Sequence, residues 1–115
     1  LSTFAFDGPE CTVNPDVERA IHGMHKLGKP IGALCIAPVL LAKVLGKGKV
    51  SIGSDPGTAK AIQSMGGEHT ATDSTGVVVD KQNKLYTTPC YMLATSIVDI
   101  AEGAKALIGE MIVDS

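Results

Sequence analysis

The chain has no tryptophan, no surplus of one charge and no long hydrophobic run. Ten Lys and Arg face twelve Asp and Glu, a net charge of −2, which gives neither nucleic acid nor an anionic membrane surface a reason to bind. The apolar stretches fall far short of the roughly 20 residues that span a bilayer. No basic start with an apolar core marks a signal peptide. Cys11, Cys35 and Cys90 are odd in number and lack CxxC spacing, so neither a disulfide framework nor a zinc ribbon is expected, and no metal. Thiols left unpaired fit a reducing, cytoplasmic compartment. Gly46-Lys47-Gly48 lacks the GxxxxGK[ST] spacing of a phosphate-binding loop. Repeats, low-complexity segments and linkers are also missing.

What is present is a core. With 44% hydrophobic residues in 115, the chain suffices for one globular domain. It opens on Leu1-Ser2-Thr3-Phe4-Ala5-Phe6, apolar where a free terminus is usually polar, and is read as a piece of something longer. Asn14-Pro15, with Asp16 and Glu18 in the first turn, starts a helix whose Val17, Ala20, Ile21, Met24 and Leu27 recur at helical spacing until Gly28. Val50 to Gly53 reads as a short strand, and Ser54 or Asp55 caps a helix beginning at Pro56 and faced by Ala59, Ile62 and Met65. Gly76–Asp80 and Leu85–Thr88 flank a polar turn and read as a hairpin. A long helix follows from Tyr91 to about Ile112, with Ala94, Ile97, Val98, Ala101, Ala104, Leu107, Ile108 and Met111 inward. Strands alternating with helices predict an α/β fold: a mainly parallel sheet covered on both faces, plus an antiparallel hairpin.

Chemistry concentrates at Lys29-Pro30-Ile31-Gly32-Ala33-Leu34-Cys35-Ile36-Ala37-Pro38. An apolar strand ends at a cysteine, and three residues on a proline, with its φ preset, starts the apolar helix Val39–Leu45, closed by Gly46. Cys35 therefore stands on a strand-to-helix turn at the carboxyl edge of the sheet, where α/β folds place their sites. Helix dipole and free N–H groups there favour a thiolate. The geometry is that of a nucleophile elbow, with cysteine in place of serine. An inert buried cysteine is the competing interpretation, since apolar parallel strands often carry one.

The elbow resembles that of the superfamily containing PfpI-type proteases and the Parkinson-disease-associated deglycase. Leu1–Ala5, Cys11-Thr12-Val13-Asn14, Asn83-Lys84 and Thr87-Thr88-Pro89 with Tyr91-Met92 make the chain similar to one branch, the ElbB-like proteins, along essentially its whole length. That resemblance implies a flavodoxin-like three-layer sandwich related to class I glutamine amidotransferase domains, with its N-terminal part missing here. It also implies a homodimer, and a cofactor-free enzyme acting on small carbonyl compounds such as methylglyoxal. Cys35 would be the nucleophile and the Ile36 N–H an oxyanion donor. Ser54 and Asp55 are possible site neighbours, standing where some relatives have histidine. The family's cysteine-binding carboxylate and glycine-rich loop belong to the N-terminal half, so the fragment alone is expected to be weak or inactive. The second hypothesis is a non-catalytic stress-response module whose Cys35 senses oxidants; amidotransferase action is a third, with its usual histidine and acid not in view.

Other candidates read as structural. His22 and His25 lack the further ligands a metal needs and read as solvated. His69 reads as structural, Cys90 as packing at the start of the last helix, and Cys11 as an exposed loop thiol open to incidental oxidation.

Overall fold

Asn14 starts the first long helix by accepting hydrogen bonds from the N–H groups of Asp16 (2.9 Å) and Val17 (3.4 Å). The computed structural model in which this is seen describes residues 1–73, 75–93 and 96–114. A single turn, α1 (Phe4–Asp7), and a 3-10 turn precede that helix, α2 (Pro15–Lys26). Then come β1 (Ile31–Leu34), α3 (Pro38–Leu45), β2 (Lys49–Val50), α4 (Pro56–Ser64), β3 (Glu68–His69), β4 (Val78–Asp80), β5 (Leu85–Thr88) and α5 (Ile97–Asp114).

β5 is the middle strand of a sheet ordered β1-β5-β4, parallel to β1 and antiparallel to β4. β2 and β3 form a parallel pair of their own. Among the described residues β1 pairs only with β5. The core lies beneath α3, which buries Pro38 to Ala42, and takes in Val50, Ile52, Ile62 and Leu85, all fully enclosed. Each such side chain contributes about 1.5–3 kcal/mol relative to exposure, so this cluster holds β1, β2 and α4 together.

The hairpin forms as its composition predicts, and Asp80 shows how its turn is held. This side chain is buried, which by itself raises its pKa. The side-chain amide of Asn83, the N–H groups of Lys49 and Asn83, and the Lys49 charge outweigh burial and hold it below the usual carboxylate value. Asn83 in turn bonds the His25 ring at 3.2 Å, so that histidine joins α2 to the hairpin turn rather than standing in solvent. Asp80→Ala strands two backbone donors and is expected to cost about 2–4 kcal/mol. Because the folded-state pKa is depressed, the carboxylate's contribution is complete above the unfolded value and is lost as pH falls below about 4. Thermal unfolding from pH 7 to 2.5 should show a steeper acid loss for the parent chain than for Asp80→Asn. Parallel slopes would disprove the assignment.

Several expectations are corrected. The strand predicted for Val50–Gly53 contributes a ladder only at Lys49–Val50; beyond it Ser51 to Gly53 bonds to side chains instead. Along α2 and its C-cap Leu27, Met24 and Leu27 are exposed and Ile21 alone is buried, because α3 and β1 meet only one edge of that helix. α5 begins at Ile97, not Tyr91, after a 3-10 turn at Cys90–Met92. Its buried positions are Gly103 and Leu107, while Ile97, Val98 and Ile108 are exposed. Ala94 lies outside the described residues. Cys11 is 2% exposed, enclosed where the first turns meet α3, so it is not an open loop thiol.

Candidate functional site: the cysteine elbow at the carboxyl edge of the sheet

The chain leaves β1 through a residue that ordinary L side chains avoid. Cys35 has φ +63°, the left-handed region, which costs a non-glycine residue about 1–2 kcal/mol. Its neighbours hold it there. The Cys35 N–H donates to the Thr88 carbonyl at 3.1 Å, one rung beyond the β1–β5 register that ends at Leu34 and Thr88. The Ala37 N–H then closes the turn on the Leu34 carbonyl (3.0 Å). Next, Val39 and Leu40 donate to the carbonyls of Ile36 (3.1 Å) and Ala37 (2.9 Å). The buried α3 fixes the other side.

One amide of the elbow remains open. Cys35, Ala37, Val39 and Leu40 all donate, Pro38 has no N–H, and the Ile36 N–H donates to nothing among the described residues. An undonated amide next to a half-buried thiol can hold negative charge that develops on an oxygen bound there. An apolar groove of about 310 Å³ lies against the elbow, lined by Phe4, Ala5, Ile36 and Ala37 among others.

The segment after β2 also converges on the end of β5. Ser51 donates its N–H to the Thr87 hydroxyl (2.9 Å), and the Ser51 hydroxyl accepts from Gly53 (3.1 Å). Gly53, at φ +103°, presses so close to Leu93 that an added Cβ would stand 2.8 Å from its Cγ. Thr87→Val keeps the shape but leaves the buried Ser51 N–H unpaired. It is expected to cost about 1–3 kcal/mol in urea unfolding, and an unchanged midpoint would refute that role.

Of the predicted neighbours, Ser54 is exposed, and Asp55 is occupied as the cap of α4. Its Oδ2 accepts from the Thr58 hydroxyl (2.5 Å) and N–H (3.0 Å), and those bonds, the hydroxyl's first, lower its pKa. His69 reaches the same segment: its Nε2 stands 3.4 Å from the Ile52 N–H. Burial is the main cause of its lowered pKa, with the Gly53 backbone pulling the other way. Among the described residues no hydrogen bond joins Ser54, Asp55 or His69 to Cys35.

Sequence reasoning missed the part played by Thr87 and Thr88, whose alternation in a fully buried strand looks like any other. The Thr88 hydroxyl is buried and has no hydrogen-bond partner among the described residues. No group of three or more His, Cys, Asp or Glu that could hold a metal occurs among the described residues. Another groove, about 590 Å³ beside Lys47, Lys49, Asp80 and Lys81, opens at the opposite edge of the sheet. Strands of α/β sheets bind ligands at their carboxyl ends, and this groove lies at the other end.

No protein-family model matches the chain. It is 41% identical, over 97% of its length, to the human glutamine amidotransferase-like class 1 domain-containing protein 3, mitochondrial. It is 40% identical, over the same share, to the ES1 protein homolog, mitochondrial, of Rattus norvegicus. Along nearly all of its length the chain is similar to part of these glutamine amidotransferase-like class 1 domain and ES1 proteins. It spans about half the length of these curated relatives, 45% and 46%. A crystal structure of an isoprenoid biosynthesis protein with an amidotransferase-like domain, from Ehrlichia chaffeensis, superimposes on 97% of the chain with a TM-score of 0.86 at 29% identity. This chain matches 52% of that one. The amidotransferase-like, flavodoxin-type α/β fold predicted from the sequence is therefore the fold found.

These relatives correct one expectation. The human, rat and zebrafish proteins are all named as mitochondrial, which conflicts with a purely cytoplasmic assignment. Free thiols report a reducing environment, not an organelle. Targeting addresses lie in segments apart from the folded domain, whose composition is silent about them.

Proposed function

We propose that Cys35 is the nucleophile of a cofactor-free enzyme that converts small reactive carbonyls such as methylglyoxal, as the resemblance to ElbB-like proteins implies. What carries the proposal is a half-buried cysteine held at φ +63° beside the open Ile36 amide. Strain kept by a folded chain at one reactive side chain is commonly tied to function.

The chemistry proceeds by addition. The Cys35 thiolate attacks the aldehyde carbon, and the new oxyanion lies on the Ile36 N–H. A carboxyl group moves a proton between the adjacent carbons, leaving the carbon on sulfur at the oxidation level of a thioester. Water then cleaves that bond and releases the hydroxy acid and the thiol. Asp55 is bound to Thr58, so the carboxyl is expected from the half of the protein outside this chain, together with the glycine-rich loop. That half is the proposed partner of the open β1 edge, and the complete protein is proposed to be a homodimer.

The test is turnover of methylglyoxal by the complete protein, without glutathione or added metal. Hydroxy acid formed in stoichiometric amounts supports the proposal. A protein that binds and consumes no dicarbonyl, while this chain alone and the complete protein both fold, refutes it.

A further inference from the structure

We infer that Cys35 and Cys90 are a redox couple in which Cys90 resolves the oxidised elbow cysteine into an intramolecular disulfide. This goes beyond the carbonyl chemistry and stands without it, since it needs only the two thiols and a peroxide.

The two residues share an unusual setting. β1 and β5 are hydrogen-bonded neighbours running the same way, in register at Leu34 and Thr88. Cys35 is the next residue after the first of these, and its N–H still bonds the Thr88 carbonyl. Cys90 lies two residues after Thr88, across Pro89, whose helical backbone (φ −70°, ψ −28°) shortens the advance of the chain. A ladder spacing of about 4.8 Å carried one residue past the register, with an offset of at most roughly 3.3 Å, gives a Cα separation on the order of 5–6 Å. Disulfides span Cα separations of about 4.4–6.8 Å.

Cys90 is also at a left-handed φ, +49°. Only three non-glycine described residues have positive φ, and two are these cysteines; the third, Lys84, belongs to the hairpin turn. Glycine would relieve both positions, yet both carry sulfur. Their accessibilities divide the roles. Cys35 is half-buried and open to a small oxidant, whereas Cys90 is 3% exposed and shielded from direct attack. Cys11, 2% exposed, packs beside Thr12, Lys43 and Val44, away from this strand edge.

The Cys35 thiolate attacks hydrogen peroxide, the O–O bond breaks, and Cys35 becomes a sulfenic acid as hydroxide leaves. The Cys90 sulfur then attacks the Cys35 sulfur; the S–S bond forms, the S–O bond breaks, and the departing hydroxide takes the Cys90 proton as water. Two thiols lose two hydrogen atoms, and the peroxide is reduced to water. A dithiol restores the pair by exchange.

The experiment treats the protein with limiting hydrogen peroxide, blocks remaining thiols, and maps peptides without reduction. The expected result is one cross-linked peptide pair joining Cys35 to Cys90, a mass lower by two hydrogens, and full reversal by dithiothreitol. Cys90→Gly, which suits the positive φ, and Cys90→Ser should both keep the parent circular dichroism. Both should drive Cys35 to sulfinic acid at least about tenfold faster than in the parent. A Cys35–Cys11 link, a Cys35–Cys35 link between copies, or sulfinic acid at equal rates with and without Cys90 overturns the proposal. Should both variants fail to fold, the peptide map of the parent decides alone.

Discussion

Serine in place of Cys35 is expected to cut methylglyoxal turnover at least about a thousandfold while leaving the fold intact, because a hydroxyl at this position is not ionised near neutrality. Its informative companion is Cys35→Gly. At an ordinary site glycine costs roughly 0.5–1 kcal/mol through added freedom of the unfolded chain. At φ +63° it also removes about 1–2 kcal/mol of left-handed strain. Cys35→Gly should therefore unfold within about 0.5 kcal/mol of the parent, or above it, while being as inactive as the serine variant. Stability kept or raised and activity lost would mark strain retained for chemistry. A glycine variant that loses stability like an interior core truncation would mean that the cysteine is there for packing.

The second large effect lies away from the site. Gly66→Ala is expected to abolish folding at 37 °C or to lower stability by about 3 kcal/mol or more. Gly66 sits at φ +94°, and an added Cβ would stand 2.4 Å from the Gly46 carbonyl oxygen and 3.0 Å from its carbon. Both obstacles are backbone, so no rotamer change relieves them. The turn after α3 would have to move away from the turn after α4, and those turns lead into β2 and β3. A typical domain has only about 5–15 kcal/mol in reserve, so a loss of that size is severe. Urea unfolding compared with Gly23→Ala, where an added Cβ meets nothing within 4 Å, isolates the clash. Equal midpoints for the two would show that the approach of these turns is not required.

How these elements were legible depends on range. Asn14-Pro15, Pro38 and Asp55-Pro56 announce helix starts because capping and a preset φ act within four residues. The hairpin was readable because β-branched runs around a polar turn are local too. The faces of α2 and α5 were not. Periodicity says that a helix has an apolar side, but exposure at Met24, Leu27, Ile97 and Val98 depends on which other elements arrive there. Cys11 illustrates the same limit: nothing within its own segment reveals that it would be enclosed.

From its residues alone, the chain determined an α/β order of elements, a cysteine at a strand-to-helix turn, and apolar helices to cover a sheet. Those features follow from backbone sterics and side-chain period, which neighbouring residues settle between themselves. The folded molecule decided that the Ile36 amide stays open and that Cys90 stands across the strand edge from Cys35. It decided also that the Ser51 N–H meets the Thr87 hydroxyl. Each of these depends on which carbonyl or hydroxyl arrives opposite a given group, and in the elbow and the strand pair that partner comes from a distant part of the chain.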